Sequence, residues 1–252
     1  METLQSIALL RTEAHGAILY IHGILGTPHH FDSFFPLGEE FSQYSILLDG
    51  HGGDARNFAG TSMEKWKAQV SRKVDELLEV HETLYLAAHS MGTLFALSEA
   101  IRRPDRIRGV FLWDVPLKIR VRPCLAVNCW KVFRGRIRSE DQEALAAQRA
   151  YGISRDYRIW RYLGWIPRYL ELFREIRTVR NRIAEVSVPA IAFQSALDEM
   201  VSPKAADILR ANPRIQVNVL PDSTHFYYPP ADMALLLTAF RNFLENPHSD
   251  RN

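Results

Sequence analysis

The chain has 252 residues, of which 47% are hydrophobic and 24% charged; these ordinary globular proportions exclude a disordered, collagen-like or disulfide-stapled miniature protein. Lys and Arg number 31 and Asp and Glu 29, for a formal charge of +2, so net charge does not advertise a nucleic acid. No apolar run approaches the roughly 18 residues that a membrane-spanning helix requires, and only residues 7–10 are apolar before Arg11 and Glu13, too few for a secretory signal. With two cysteines in the chain, a reducing, cytoplasmic location is expected. Cys124 and Cys129 lack a second Cys or His pair at ligand spacing and read as small apolar fillers rather than as a zinc site.

In chain order, residues 6–12 predict a short edge strand, antiparallel to its neighbour, and 17–21 a strand apolar enough to be buried on both faces. Apolar residues at three- and four-residue spacing predict a helix over 32–41. A strand at 44–48 and a helix at 62–80 follow, then a strand at 84–88, a helix at 91–101 and a strand at 110–115. After a long interruption come a strand at 190–193, a helix at 203–209, a strand at 217–220 and a helix at 231–244. This alternation predicts an α/β protein, with a mostly parallel central sheet covered by helices on both faces.

The interruption spans about seventy residues, where a simple crossover needs roughly a dozen. Residues 118–184 hold sixteen Lys or Arg against six Asp or Glu, a local +10 that leaves −8 elsewhere. They predict a helical cap inserted into a core domain made of residues 1–117 and 185–252. Arg155, Arg158 and Arg161, then Arg174, Arg177 and Arg180, recur every three residues and predict a basic helical face in each segment. Tyr162, Trp165, Tyr169 and Phe173 form a second stripe, which either packs as the cap's own core or faces the active site. The basic face reads as solvated surface or as a docking patch for an anionic partner; with no nucleic-acid-binding signature in the chain, nucleic acid is not expected.

Chemistry concentrates at strand ends. Leu84-Tyr85-Leu86-Ala87-Ala88-His89-Ser90-Met91-Gly92 runs from a buried strand straight into a helix, with small residues two before and two after the serine. That spacing suits a sharp turn that thrusts a serine Oγ over the sheet edge, although an ordinary helix N-cap accounts for Ser90 alone as well. The stretch resembles the G-x-S-x-G nucleophile elbow of the α/β-hydrolase superfamily, with Ala88 in place of the first glycine. His22-Gly23-Ile24-Leu25-Gly26 is similar to that superfamily's H-G-x-x-G loop. The resemblance assigns the oxyanion-binding N–H groups to Ile24 and Met91.

A serine nucleophile needs a base with a pKa near the working pH, and nine histidines compete. The superfamily's order of serine, acid, histidine points to His225, in the loop after the last strand. His22 is the weaker candidate and reads as a loop holder. His51, within Asp49-Gly50-His51-Gly52-Gly53, resembles a loop of monoacylglycerol lipase-like members and reads as a packing residue, and His248 falls in a polar tail. For the acid, Asp198 fits best, in Gln194-Ser195-Ala196-Leu197-Asp198-Glu199-Met200-Val201, similar to the family's G-x-x-D-x-x-V. Asp114, at the end of the preceding strand, is its rival; Glu199 and Asp222 are lesser candidates, with solvated surface as the plainer reading of both.

The resemblance is strongest to carboxylesterases and monoacylglycerol lipase-like hydrolases. It implies a serine hydrolase acting on a small-molecule ester without cofactor or metal. Two alternatives stand beside it: a thioesterase or carrier-linked ester hydrolase that docks an anionic acyl carrier or CoA moiety on the basic cap, and a non-catalytic ligand-binding relative.

Overall fold

The computed structural model describes residues 4–14 and 16–245; His248 lies outside them. Seven strands form one sheet: β1 (Ile7–Leu9), β2 (Ala17–Ile21), β3 (Ser42–Ile46), β4 (Leu84–His89), β5 (Ile107–Trp113), β6 (Ala190–Ser195) and β7 (Ile215–Leu220). Their order is β1-β3-β2-β4-β5-β6-β7. β1 pairs antiparallel with β3 and every other pair is parallel. Every residue of β2 and β4 is buried, as expected of parallel strands covered on both faces.

The helices are α1 (Ala55–Ala59), α2 (Met63–Val80), α3 (Met91–Arg102), α4 (Pro123–Arg134), α5 (Gln142–Ala150), α6 (Ile166–Arg180), α7 (Ala205–Arg210) and α8 (Pro230–Glu245). One apolar cluster gathers Trp66, Val70 and Val74 of α2 with Leu94 and Leu97 of α3 against the sheet. A second holds Phe31, Phe34, Phe111, Trp113, Phe240 and Phe243, joining α8 to the sheet. Burying side chains of this size contributes roughly 1.5–3 kcal/mol each, so the two layers fix the strands between them.

Two local expectations are corrected. Residues 32–41 do not form one helix; they hold a single 3-10 turn, Phe35–Leu37, and another, Pro28–Phe31, precedes them. Pro36 has no N–H to donate and Gly38 weakens a helix interior, so a continuous α-helix is not sustained. The strand expected at 44–48 begins two residues earlier. Ser42 and Gln43 pair with Ala17 and Ile18, and their polar side chains find buried partners, Gln43 Oε1 accepting from the Tyr20 hydroxyl at 2.7 Å. Leu47 and Leu48 leave the ladder, their N–H groups donating to Ser6 Oγ and to His22 Nε2.

Between β5 and β6 the chain carries α4, α5, a 3-10 segment (Ile159–Trp165) and α6. It is tied down at its start and along its length. Residues 118–122 bond to the loop after β6: Ser202 N–H donates to Lys118 O, Arg120 N–H to Met200 O and Arg122 N–H to Glu199 O. Farther on, Gly152 N–H donates to Leu25 O at 2.7 Å, and the Trp165 indole donates to Ala55 O at 3.0 Å. Among the described residues no helix is long and apolar enough to cross a membrane.

Candidate active site

Strand register brings the reactive loops together. Ile21 pairs with Ala88, His89 with Trp113, Trp113 with Phe193 and Ser195 with Leu220, so β2, β4, β5, β6 and β7 end along one edge, the usual ligand edge of such sheets. Ser90 leaves β4 at φ 51°, ψ −125°, a sparsely populated conformation for a residue with a side chain. Neighbouring backbone enforces it: a Cβ on Gly92 would strike the Ile21 carbonyl, and one on Gly23 would lie 2.8 Å from Ser90 Cβ. Ala88, in the position of the absent glycine, is fully buried in the core cluster that holds Ile21 and Met91, so its methyl is accommodated.

His225 lies between Ser90 and Asp198. Its Nε2 is 3.0 Å from Ser90 Oγ and its Nδ1 is 2.7 Å from Asp198 Oδ2. In the neutral imidazole these partners assign the proton to Nδ1, with Asp198 accepting it, and leave Nε2 free to accept from the serine hydroxyl. Asp198 Oδ1 accepts from the N–H groups of Met200 and Val201 at 2.6 and 2.7 Å, so its carboxylate is fully engaged. Burial opposes charge on His225, but Asp198, by charge and hydrogen bond, with Asp114 and Glu199 beyond it, raises its pKa to about 9.

Asp114, the rival acid, is completely buried, with a positive φ of 53°. Its Oδ1 accepts from Ser195 N–H at 2.9 Å and its Oδ2 from the Tyr228 hydroxyl at 2.6 Å. Burial and then the Asp198 charge push its pKa up to about 7. The structure thus hydrogen-bonds Asp198 to the imidazole and sets Asp114 behind it. Glu199 departs from the surface role expected of it: it is 5% exposed, and its Oε2 accepts the His225 N–H at 3.1 Å. Asp222 is exposed, as expected.

The other two histidine candidates among the described residues, His22 and His51, have structural partners. His22 Nδ1 donates to Gly23 O at 2.8 Å and its Nε2 accepts from Leu48 N–H; burial lowers its pKa to about 4. His51 Nε2 accepts from Leu25 N–H at 3.0 Å, and burial, followed by the His22 charge, holds its pKa well below the usual value. Two neutral imidazoles therefore pin the loop carrying Ile24. The N–H of Ile24 and that of Met91, in the first turn of α3, have no intramolecular acceptor among the described residues. Orphan donors of this kind at a helix start suit an anion, and both residues line the same cleft as Ser90.

Two neighbours carry no signal in the local sequence. His89 is buried, with its Nε2 3.1 Å from the His225 carbonyl, and Tyr228 bonds Asp114 from the far side. His89, Asp114 and His225 lie close enough to suggest a metal cage. Their candidate donor atoms are already committed, however: Asp114 to Ser195 and Tyr228, His225 to Asp198 and Ser90, His89 to the His225 carbonyl.

The cleft above Ser90 has a volume of about 580 Å³, within the range of small-molecule sites. Tyr162, Trp165, Tyr169 and Phe173 all line it, opposite Val121, Leu125, Val132 and Phe133 of α4 and its approach. The first arginine triplet does not form a helical face. Residues 154–158 are not helical, Arg158 and Arg161 both close on Asp156, and Arg155 turns to the cleft. Arg174, Arg177 and Arg180 do lie exposed on α6. The cysteines are not buried fillers: both are free and exposed on α4, of which only Asn128 is buried, and Cys129 lines the cleft.

The sequence model of the alpha/beta hydrolase family matches residues 18–237. A thermostable monoacylglycerol lipase from Bacillus sp. (strain H-257) is 26% identical over 207 residues, covering 76% of this chain and 74% of that protein. Among solved structures, a metagenome-derived lipolytic enzyme superposes with a TM-score of 0.75 at 18% identity, over 97% of this chain and 98% of the other. The monoacylglycerol lipase of Paleococcus ferrophilus superposes with a TM-score of 0.69 at 20% identity, over 97% and 99%.

Proposed function

The chain belongs to the alpha/beta hydrolase family, and on that premise we propose that it is a serine hydrolase cleaving carboxylic esters, either short- to medium-chain acyl esters or monoacylglycerol-like ones. The observation that carries the proposal is the relay at the floor of an apolar cleft, Ser90 Oγ to His225 Nε2 at 3.0 Å and His225 Nδ1 to Asp198 Oδ2 at 2.7 Å. Ser90 Oγ attacks the ester carbonyl while His225 takes its proton, and Asp198 holds the imidazole in the required tautomer and stabilises its cation. The oxyanion settles on the N–H groups of Ile24 and Met91, where fixed donors cost no reorganisation. His225 then protonates the departing alcohol. A water deprotonated by His225 attacks the acyl-enzyme, releasing the acid and restoring Ser90. These groups carry every step, so the proposal calls for no cofactor or metal.

In this reading residues 118–184 form the cap, and its aromatic stripe holds the acyl chain. The two free cysteines suit a reducing, cytoplasmic setting. The +10 charge of the cap favours a second reading, in which the same serine acts on a thioester of CoA or an acyl carrier. Hydrolysis of p-nitrophenyl esters from acetate to palmitate, with Ser90→Ala alongside, tests the first. Turnover that peaks at a definite chain length and vanishes in the variant is expected. A Ser90→Ala protein as active as the wild type would refute it, and esters bound without product release would leave a ligand-binding relative.

A further inference from the structure

His30 has no part in the reaction proposed above, yet it stands beside it. The 3-10 turn Pro28–Phe31 carries it, and Ser45 Oγ pins that turn to β3 by donating to Pro28 O at 3.0 Å. The imidazole stacks on His89 at 4.1 Å with the planes 26° apart, and on Trp113 at 5.9 Å and 17°. His89 is itself fixed, its Nε2 donating to the His225 carbonyl at 3.1 Å. The His30 ring is thus held by its faces, while its two nitrogens hydrogen-bond to no other described residue. For a partly buried imidazole that is unusual, because such polar groups are ordinarily satisfied.

A small cavity of about 10 Å³ adjoins the cleft, bordered by His30, His89, Ser90, His225 and Ile24. It has room for one water and for no larger group, and it offers the several polar neighbours that a held water needs. Ser90 and His225 are among them, so a water there stands next to both the acyl-enzyme carbonyl and the base. Burial, and then the charges of His225 and His22, lowers the His30 pKa to about 3. At neutral pH the ring therefore has an unprotonated nitrogen that accepts a hydrogen bond and does not compete with His225 for the proton.

We infer that His30 is a positioning residue for deacylation, accepting one O–H of the hydrolytic water while the other O–H points to His225 Nε2. The water's lone pair is then aimed at the acyl carbon. As the new C–O bond forms, His225 takes the proton and the carbonyl electron pair moves to the oxyanion; its collapse breaks the bond to Ser90 Oγ, which His225 reprotonates as the acid leaves. An alcohol has a single O–H and cannot satisfy His225 and His30 together. The same ring therefore favours water over an alcohol as acyl acceptor. This preference rests on the serine hydrolase reading and deepens it.

Turnover of p-nitrophenyl acetate by the full chain, with and without methanol, tests the inference in wild type, His30→Phe and His30→Asn. Phenylalanine keeps a flat ring to stack on His89 and removes the acceptor; the asparagine amide oxygen restores one. In His30→Phe, kcat and KM should fall together by about tenfold, with kcat/KM, which acylation sets, within about threefold of wild type. A burst of nitrophenol should precede the steady state, because the acyl-enzyme now accumulates. The ratio of methyl acetate to acetate formed should rise about fivefold, and His30→Asn should bring it back to within about twofold of wild type. A merely structural role would lower kcat/KM and leave that ratio unmoved. An unchanged ratio in a His30→Phe protein that still acylates, or no recovery in His30→Asn, would overturn the inference and leave the hydrolase reading standing. A wild type never acylated by the ester would remove that reading and the inference with it. Should His30→Phe fail to fold, His30→Leu, which also lacks an acceptor, carries the same expectation for the ratio.

Discussion

Asparagine at Asp198 and at Asp114 should have unequal consequences, although both carboxylates are buried near one imidazole. In Asp198→Asn the amide oxygen can keep the Met200 and Val201 N–H bonds, which turns the NH2 towards His225 Nδ1. The imidazole must then accept at Nδ1 and carry its proton on Nε2, facing Ser90, where it cannot act as a base. The expected loss in kcat is roughly ten-thousand-fold, about 5.5 kcal/mol of transition-state stabilisation. Asp114→Asn keeps an oxygen for Ser195 N–H, and its NH2, in place of Oδ2, donates to the Tyr228 oxygen while that hydroxyl's proton turns to the His225 carbonyl, so the main loss is of charge. His225 and Asp114 have donor atoms within 4.8 Å of each other, so a full charge there is worth on the order of 3 kcal/mol at an effective dielectric of 20. Asp114 is itself protonated in part near pH 7, which reduces the effect to roughly one or two pKa units on His225. Catalysis needs neutral His225, so activity falls as pH drops through its pKa. Losing the Asp114 charge lowers that pKa and moves the acid limb to lower pH. Profiles of kcat/KM against pH for both variants, with a p-nitrophenyl ester, are the assay. A plateau within about tenfold of wild type and a lowered limb are expected for Asp114→Asn. Collapse of that variant to the level of Asp198→Asn with an unmoved limb would refute the assignment of the two acids.

Other expectations follow from the same geometry. Gly92→Ala forces a methyl into the Ile21 carbonyl and should cost about 1–3 kcal/mol in a urea melt as well as most of the activity; full activity would contradict the elbow's packing. His22, His30, His51 and His89 are held neutral by burial, so unfolding takes up protons below their unfolded pKa of about 6.5. Stability should therefore fall as pH drops from 6.5 towards 4, with His22 alone, at about 4 when folded, contributing on the order of 3 kcal/mol; a Tm flat over that range would contradict their burial. Val132→Trp, on the α4 wall of the cleft, should shift the preferred ester to shorter chains, and an unchanged preference would place the acyl group elsewhere.

The legible features of this chain were those written in contiguous residues. Strands such as Ala17–Ile21 and Leu84–His89 are wholly buried and announce themselves as unbroken apolar runs. Ser90 was legible because its turn demands small neighbours within two residues. β3 was misplaced because Ser42 and Gln43 look like loop residues until Tyr20 and Pro28 supply the neighbourhood that buries this strand's polar groups. Asp198 and Asp114 stayed rivals in the sequence because both end a strand; only their distances to His225, Ser195 and Tyr228 separate them. Glu199 and His89 meet His225 across 26 and 136 positions, and Tyr228, three residues from His225, reaches Asp114 across 114, pairings that no local pattern encodes. Arg155, Arg158 and Arg161, at three-residue spacing, suggested a helical face, whereas Asp156 draws Arg158 and Arg161 together in a non-helical bend.

The central claim, that Ser90 becomes acylated, is tested most directly by acid-quenching the protein with excess p-nitrophenyl ester in the steady state and measuring the mass of the intact chain and its peptides. The account predicts one acyl group on the peptide containing Ser90, lost on standing in water and absent from Ser90→Ala. An adduct on another residue, or turnover that survives in Ser90→Ala, would contradict it.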